Sequence, residues 1–186
     1  RDPIHVGEGR GDGGCPGWEV RYQGRGPTRW TPDMDAGMFQ EKHFRLIREL
    51  GGRYDGQPDL ELVDIGTVGL WAEWHMSGTG VDMPSAETRR VVIETYLEAF
   101  PTTPKAMLIG DADGMRQATS AGCGWRADCL GDMGGFSDNW NHMEGMYPAQ
   151  IRDTNATDAW RRGPVAFETC WDMRKWADEG WDIRHI

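Results

Sequence analysis

The sequence predicts an α/β fold: a (β/α)8 TIM barrel, of which this chain supplies a part. Three observations lead there. Short apolar runs stop abruptly in clusters of carboxylate, Trp and His: Leu62-Val63-Asp64-Ile65-Gly66 leading into Leu70-Trp71-Ala72-Glu73-Trp74-His75, then Gly124-Trp125-Arg126-Ala127-Asp128, then Pro164-Val165-Ala166-Phe167-Glu168-Thr169-Cys170-Trp171. A continuous apolar run is the pattern of a strand buried on both faces, and reactive side chains just past its C-terminal end are the habit of barrel enzymes. These runs alternate with helical patterns, which implies a parallel sheet with right-handed crossovers. The 186 residues can bury one sizeable core but fall short of the ~250 of a whole barrel. A single partial domain over 1–186 is therefore expected, with about four of the eight strands and with outer strands that expose unpaired backbone.

Each element has its own signal. Residues 1–32 are rich in Gly, Pro and charge without periodicity and read as a long loop carrying Trp18, Tyr22 and Trp30. Met38, Phe39, Phe44, Leu46, Ile47 and Leu50 recur at near-helical spacing up to Gly51-Gly52, predicting a helix from Ala36 to Leu50. Turn signals at Asp55-Gly56 and Gln57-Pro58 precede the first buried strand. Ser85 is the expected N-cap of a second helix, whose apolar face is Val91, Val92, Tyr96, Leu97 and Phe100. A strand at 105–109, a short helix at 115–121, the strand 124–128, a Gly-, Asp- and Asn-rich stretch from 131 to 147 and a weaker helix at 149–161 follow. After the strand 165–168, a last helix carries Trp171, Met173, Lys175 and Trp176 up to Gly180, and Trp181 to Ile186 reads as the start of another strand.

Thirty acidic against twenty basic residues give a net charge of −10, which argues against nucleic acid and anionic membrane as partners, since both need a basic footprint. No apolar run approaches the ~20 residues of a transmembrane helix. Four cysteines, Cys15, Cys123, Cys129 and Cys170, show no C-x-x-C spacing, so a zinc ribbon is not expected, and buried free thiols are the plainer reading. No cofactor is expected.

Glu73 follows a strand among Trp71, Trp74 and His75, where apolar rings raise a carboxyl pKa and suit a general acid; a structural ion pair is the plain alternative. Glu168 ends a second buried strand with Trp171 close behind. Two carboxylates at the same end of nonadjacent barrel strands are what a glycosidase needs. Arg126 and Asp128 share one face of their strand. Facing inward, Asp128 binds a sugar hydroxyl and Arg126 holds a nucleophilic carboxylate ionised; a buried ion pair is the equal alternative. His75 and His142 are candidate hydroxyl ligands or, with Asp128 and Asp132, metal ligands, although no H-x-x-H or H-E-x-x-H spacing supports a metal. Ten tryptophans are many, and indole faces suit pyranose rings; Trp71, Trp74, Trp140 and Trp171 are the ones near strand ends or the long loop.

Four pieces of the chain, Arg53-Tyr54-Asp55-Gly56-x-Pro58, Val63-Asp64-Ile65-Gly66-x-x-Gly69-x-Trp71-x-Glu73-Trp74-His75, Trp125-Arg126-x-Asp128-x-Leu130-Gly131-Asp132 and Pro164-Val165-x-Phe167-Glu168-Thr169-Cys170-Trp171, resemble the DUF4832 group of bacterial proteins, which look like TIM-barrel glycoside hydrolases akin to clan A. The resemblance runs from about Trp30 to the end. It implies the strand at Val63 as strand 4, those at Ala106 and Trp125 as 5 and 6, and that at Val165 as 7. Glu73 and Glu168 then fall where clan A places its acid/base and its nucleophile. Ala72 stands where that clan usually has Asn, so the residue that contacts the sugar 2-hydroxyl has no counterpart at this position.

The expected function is a carbohydrate-active hydrolase acting on oligo- or polysaccharide by a retaining two-carboxylate mechanism, with carboxyls about 5–5.5 Å apart; the working expectation for location is extracytoplasmic. A noncatalytic saccharide-binding barrel, and a polysaccharide lyase with a His base, are the alternatives.

Overall fold

The computed structural model describes residues 19–22 and 29–182. Its chain divides into two compact units, 1–56 with 67–101, and 57–66 with 102–186.

The first unit opens with an antiparallel ribbon, β1 (Glu19–Tyr22) against β2 (Arg29–Pro32), with Glu19 opposite Pro32 and Tyr22 opposite Arg29. Within the stretch 1–32 read as a long loop, residues 19–22 and 29–32 pair as strands, which supplies backbone hydrogen bonds that composition alone does not reveal; residues 1–18 and 23–28 lie outside the described residues. Trp18 lies outside the described residues.

Helix α1 (Gly37–Tyr54) runs longer than the apolar spacing predicts. Its buried line is His43, Ile47 and Gly51, one residue per turn, while Met38, Leu46 and Leu50 of the predicted stripe are exposed. Helix α2 (Ala86–Ala99) packs against α1 through the same unit and buries Thr88, Val92, Ile93, Thr95 and Tyr96. Ser85 caps it as expected, its hydroxyl accepting from Thr88 N at 3.2 Å. Asp35, just before α1, ties the two helices together: it accepts from Ser85 N and Oγ and, at 2.5 Å, from Thr88 Oγ1. Burial alone would raise the Asp35 pKa, but these donors outweigh it and hold the carboxyl below its ordinary value. Replacing Asp35 with Ala should cost about 1–2 kcal/mol, read as a lower urea midpoint, and an unchanged midpoint would remove this tie.

The second unit is a four-stranded parallel sheet in the order β3 (Val63–Ile65), β4 (Lys105–Leu108), β5 (Gly124–Leu130), β6 (Val165–Thr169). That is the predicted order and direction. Ala106, Met107 and Leu108 are all buried, as a strand covered on both faces requires. Helix α3 (Ala112–Ser120) packs on β4 and β5 with Met115, Ala118 and Thr119. Helix α4 (Tyr147–Asp153) is shorter than predicted; Thr154 ends it, and a single 3-10 turn at Ala159–Arg161 completes the stretch read as helix. Helix α5 (Met173–Asp178) is capped by Asp172, which accepts from the backbone of Arg174 and Lys175.

One strand differs from expectation. β6 is not buried: Phe167 is 53% exposed, and Glu168 and Thr169 are exposed with it. Among the described residues it pairs only with β5, so one side of it has no covering strand. No helix among the described residues is long and apolar enough to cross a membrane.

Candidate active site

In a parallel sheet, paired residues of neighbouring strands point to the same face. Asp64 pairs with Ala106, and Arg126 pairs with Leu108 on one side and Ala166 on the other. Asp64, Arg126 and Glu168 therefore line one face. Arg126 is largely buried, its Nη1 lies 3.6 Å from Asp64 Oδ2, and its Nη2 donates to Glu168 Oε2. Burial by itself disfavours the guanidinium charge, but Asp64, Glu168 and Asp128 outweigh it and raise the Arg126 pKa. The sequence left Arg126 between an inward role and a buried ion pair; the structure shows ion pairs, with Arg126 largely buried and Glu168 exposed.

At the end of β5 the ladder slips: Ala127 pairs with Phe167, but Leu130 pairs with Thr169, so β5 carries one extra residue. Tyr147, at the start of α4, reaches this bulge. Its hydroxyl donates to Asp128 Oδ1 at 2.9 Å and accepts from Cys129 N at 2.8 Å, and burial together with the Asp128 charge pushes its pKa upward. Cys129 is joined to Cys170 by a disulfide across β5 and β6, Cα atoms 4.8 Å apart. This corrects the free-thiol reading for both: their strands are neighbours, a fact that sequence spacing does not carry. Cys123 is a buried free thiol, pushed up by burial.

Beyond the bulge, Asp132 is fully buried and organises the Gly-rich turn. Its Oδ1 accepts from Gly134 N at 3.0 Å and Gly135 N at 2.8 Å, and its Oδ2 accepts from His142 N at 3.2 Å and meets His142 Nδ1 at 2.5 Å. Burial opposes the charge, but these four donors win and lower the Asp132 pKa. His142 is ringed by Phe136, Trp140 and Tyr147 at 4.9–5.6 Å, and Phe136 also meets Trp171 at 4.7 Å. Phe136 and Trp140 are exposed, which leaves an open aromatic platform. One ligand atom each of Asp128, Cys129 and His142 lies within 4.8 Å of the others.

In the first unit, the loop after β3 presents Glu73. Thr67, Trp71, Ala72 and Trp74 all have left-handed backbone, φ between 50° and 67°, a costly conformation for residues with a Cβ and one that concentrates at functional sites. The loop is closed by Leu70 N donating to His75 O and Trp74 N to Val68 O. Glu73 is the drier carboxyl, 19% exposed against 56% for Glu168, and its Oε2 lies 3.5 Å from His75 Nε2. Trp71 is 75% exposed, 5.8 Å from the His75 ring. Trp74 is 3% exposed and belongs to the core, not to a ligand surface.

The structure thus gathers Arg126, Asp128, Trp140, His142, Glu168 and Trp171 in the second unit and Trp71, Glu73 and His75 in the first. Asp64 and Tyr147 were not foreseen as site residues. Asp132-x-Gly134-Gly135 carried a turn signal, since Asp favours hydrogen bonds to backbone two and three residues on. A shallow groove lined by Arg48, Asp55 and Glu98 holds none of the predicted site residues. Comparison with protein-family models, curated proteins and solved structures finds no match.

Proposed function

We propose that the chain is part of a (β/α)8 barrel glycoside hydrolase of the DUF4832 type, cleaving O-glycosidic bonds of an oligo- or polysaccharide with retention. The observation that carries this reading is Glu168 at the C-terminal end of a parallel strand, held by Arg126 on the face it shares with Asp64. Glu168 is the nucleophile. Its carboxylate attacks the anomeric carbon while a general acid, the part the sequence gives to Glu73, protonates the leaving oxygen; a water then releases the sugar, losing its proton to that same group. The lower exposure of Glu73 and the strained backbone around it support the acid role, and Trp140, Phe136 and Trp171 offer apolar faces to the sugar.

The test is hydrolysis of a panel of aryl glycosides by the full-length protein. Turnover is expected, with Glu168→Gln lowering kcat by about 10³-fold or more and Glu73→Gln by about 10²–10⁴-fold; azide should rescue a nucleophile-competent Glu73 variant. Saccharide binding without turnover would leave the noncatalytic barrel. A second reading, a lyase with His142 as base, is favoured by Asp132 orienting its ring; an unsaturated product with Glu168→Gln still active would select it.

A further inference from the structure

We propose that Asp128, Cys129, His142 and Cys170 form a zinc site that the Cys129–Cys170 disulfide closes and its reduction opens. Asp128 and Cys129 are neighbours on a strand, and regular alternation would send their side chains to opposite faces. The extra residue in β5 between Ala127 and Leu130 breaks that alternation. As a result one atom each of Asp128, Cys129 and His142 comes within 4.8 Å of the others. A zinc tetrahedron, with bonds of about 2.0–2.3 Å, sets its donors roughly 3.3–3.8 Å apart, so about 1 Å of side-chain closure suffices. Cys170 is not one of these three; its sulfur, bonded to that of Cys129, becomes the fourth donor once the disulfide opens.

The surroundings already hold two of these donors in place. Buried Asp132 takes the Nδ1 side of His142, leaving Nε2 for a metal, the carboxylate–histidine pairing that orients zinc ligands. Tyr147 steadies Asp128 by donating to its Oδ1. While the disulfide stands, Cys129 sulfur is bonded to sulfur and is no thiolate, so the donor set is one carboxylate and one imidazole, too few for a structural zinc. A dithiol reductant changes this: it delivers two electrons and two protons to the pair, becoming a cyclic disulfide itself. Zinc then displaces the thiol protons to solvent as the Zn–S bonds form. This site does not depend on the glycosidase reading.

The test uses the full chain with Cys15→Ser and Cys123→Ser, so that one thiol pair remains. Cobalt(II) and zinc(II) are titrated into oxidised and dithiothreitol-reduced protein, with cobalt thiolate absorption and competition against a chromophoric chelator as readouts. The reduced chain should bind one metal ion with a thiolate band, at least about 100-fold tighter than the oxidised chain. Asp132→Asn should weaken binding about 10–100-fold with the band retained, and His142→Gln should weaken it further and change the band. Equal binding by both redox forms, or cobalt uptake without a thiolate band, overturns the proposal. So does a reduced chain that unfolds and stays metal-free at excess zinc, because binding to such a set would drive folding.

Discussion

Asp132→Ala should destabilise the second unit by about 3 kcal/mol or more, because it leaves several buried donors without an acceptor. The truncation strands three backbone N–H groups, those of Gly134, Gly135 and His142, and the His142 Nδ1 side in a site where Asp132 itself has no exposure. Each unsatisfied donor costs about 1–3 kcal/mol, less what water recovers. Urea denaturation of the wild type and the variant at neutral pH measures the loss. The Asp132 pKa is lowered on folding, so its stabilisation is complete above the unfolded carboxyl value of about 4 and is withdrawn as pH falls through the lower folded value. The gap between wild type and Asp132→Ala should therefore narrow on acidification below about pH 4. A gap that stays constant down to pH 3, or a neutral-pH loss below about 1 kcal/mol, would show that the carboxylate does not hold this turn.

Gly124→Ala should cost about 3 kcal/mol or more and loosen the β5–β6 pair. A Cβ at Gly124 would sit 1.7 Å from Pro164 O and 2.6 Å from Pro164 C and N. These are backbone atoms of the chain leading into β6, so no rotamer change relieves the clash, and the strands must separate. Separation would break the Trp125 N to Pro164 O hydrogen bond of 3.0 Å, which begins the pairing that continues through Arg126 and Ala166. Gly52→Ala is the comparison: nothing lies within 4 Å of its Cβ inside α1, and it should be neutral or stabilise by up to about 1 kcal/mol. Denaturant midpoints report both variants, and the fraction of chains with the Cys129–Cys170 disulfide formed reports the strand pair directly. Equal midpoints for the two variants would mean that β6 can shift at little cost.

The predicted strand positions, their parallel order and the Ser85 cap hold within a few residues, because each rests on a local pattern. Continuous apolar runs, turn residues and a capping hydroxyl three residues before Thr88 N act over distances that a short window of sequence contains. The candidate site was legible in part for the same reason: Arg126, Asp128 and Glu168 were read from strand ends and alternation.

What remained illegible depends on contacts between distant segments. Sequence alone determined which residues make the sheet and in what order. Tertiary structure decided that Arg126 bridges Asp64 and Glu168, that Cys129 meets Cys170 across 41 residues, that Trp74 turns into the core and that β6 lies exposed. The physical reason is shared by all four. A side chain's burial and partner are properties of the space between elements, set by strand pairing, by a one-residue slip at the end of β5 and by a strained loop, and none of these has a local sequence period to betray it.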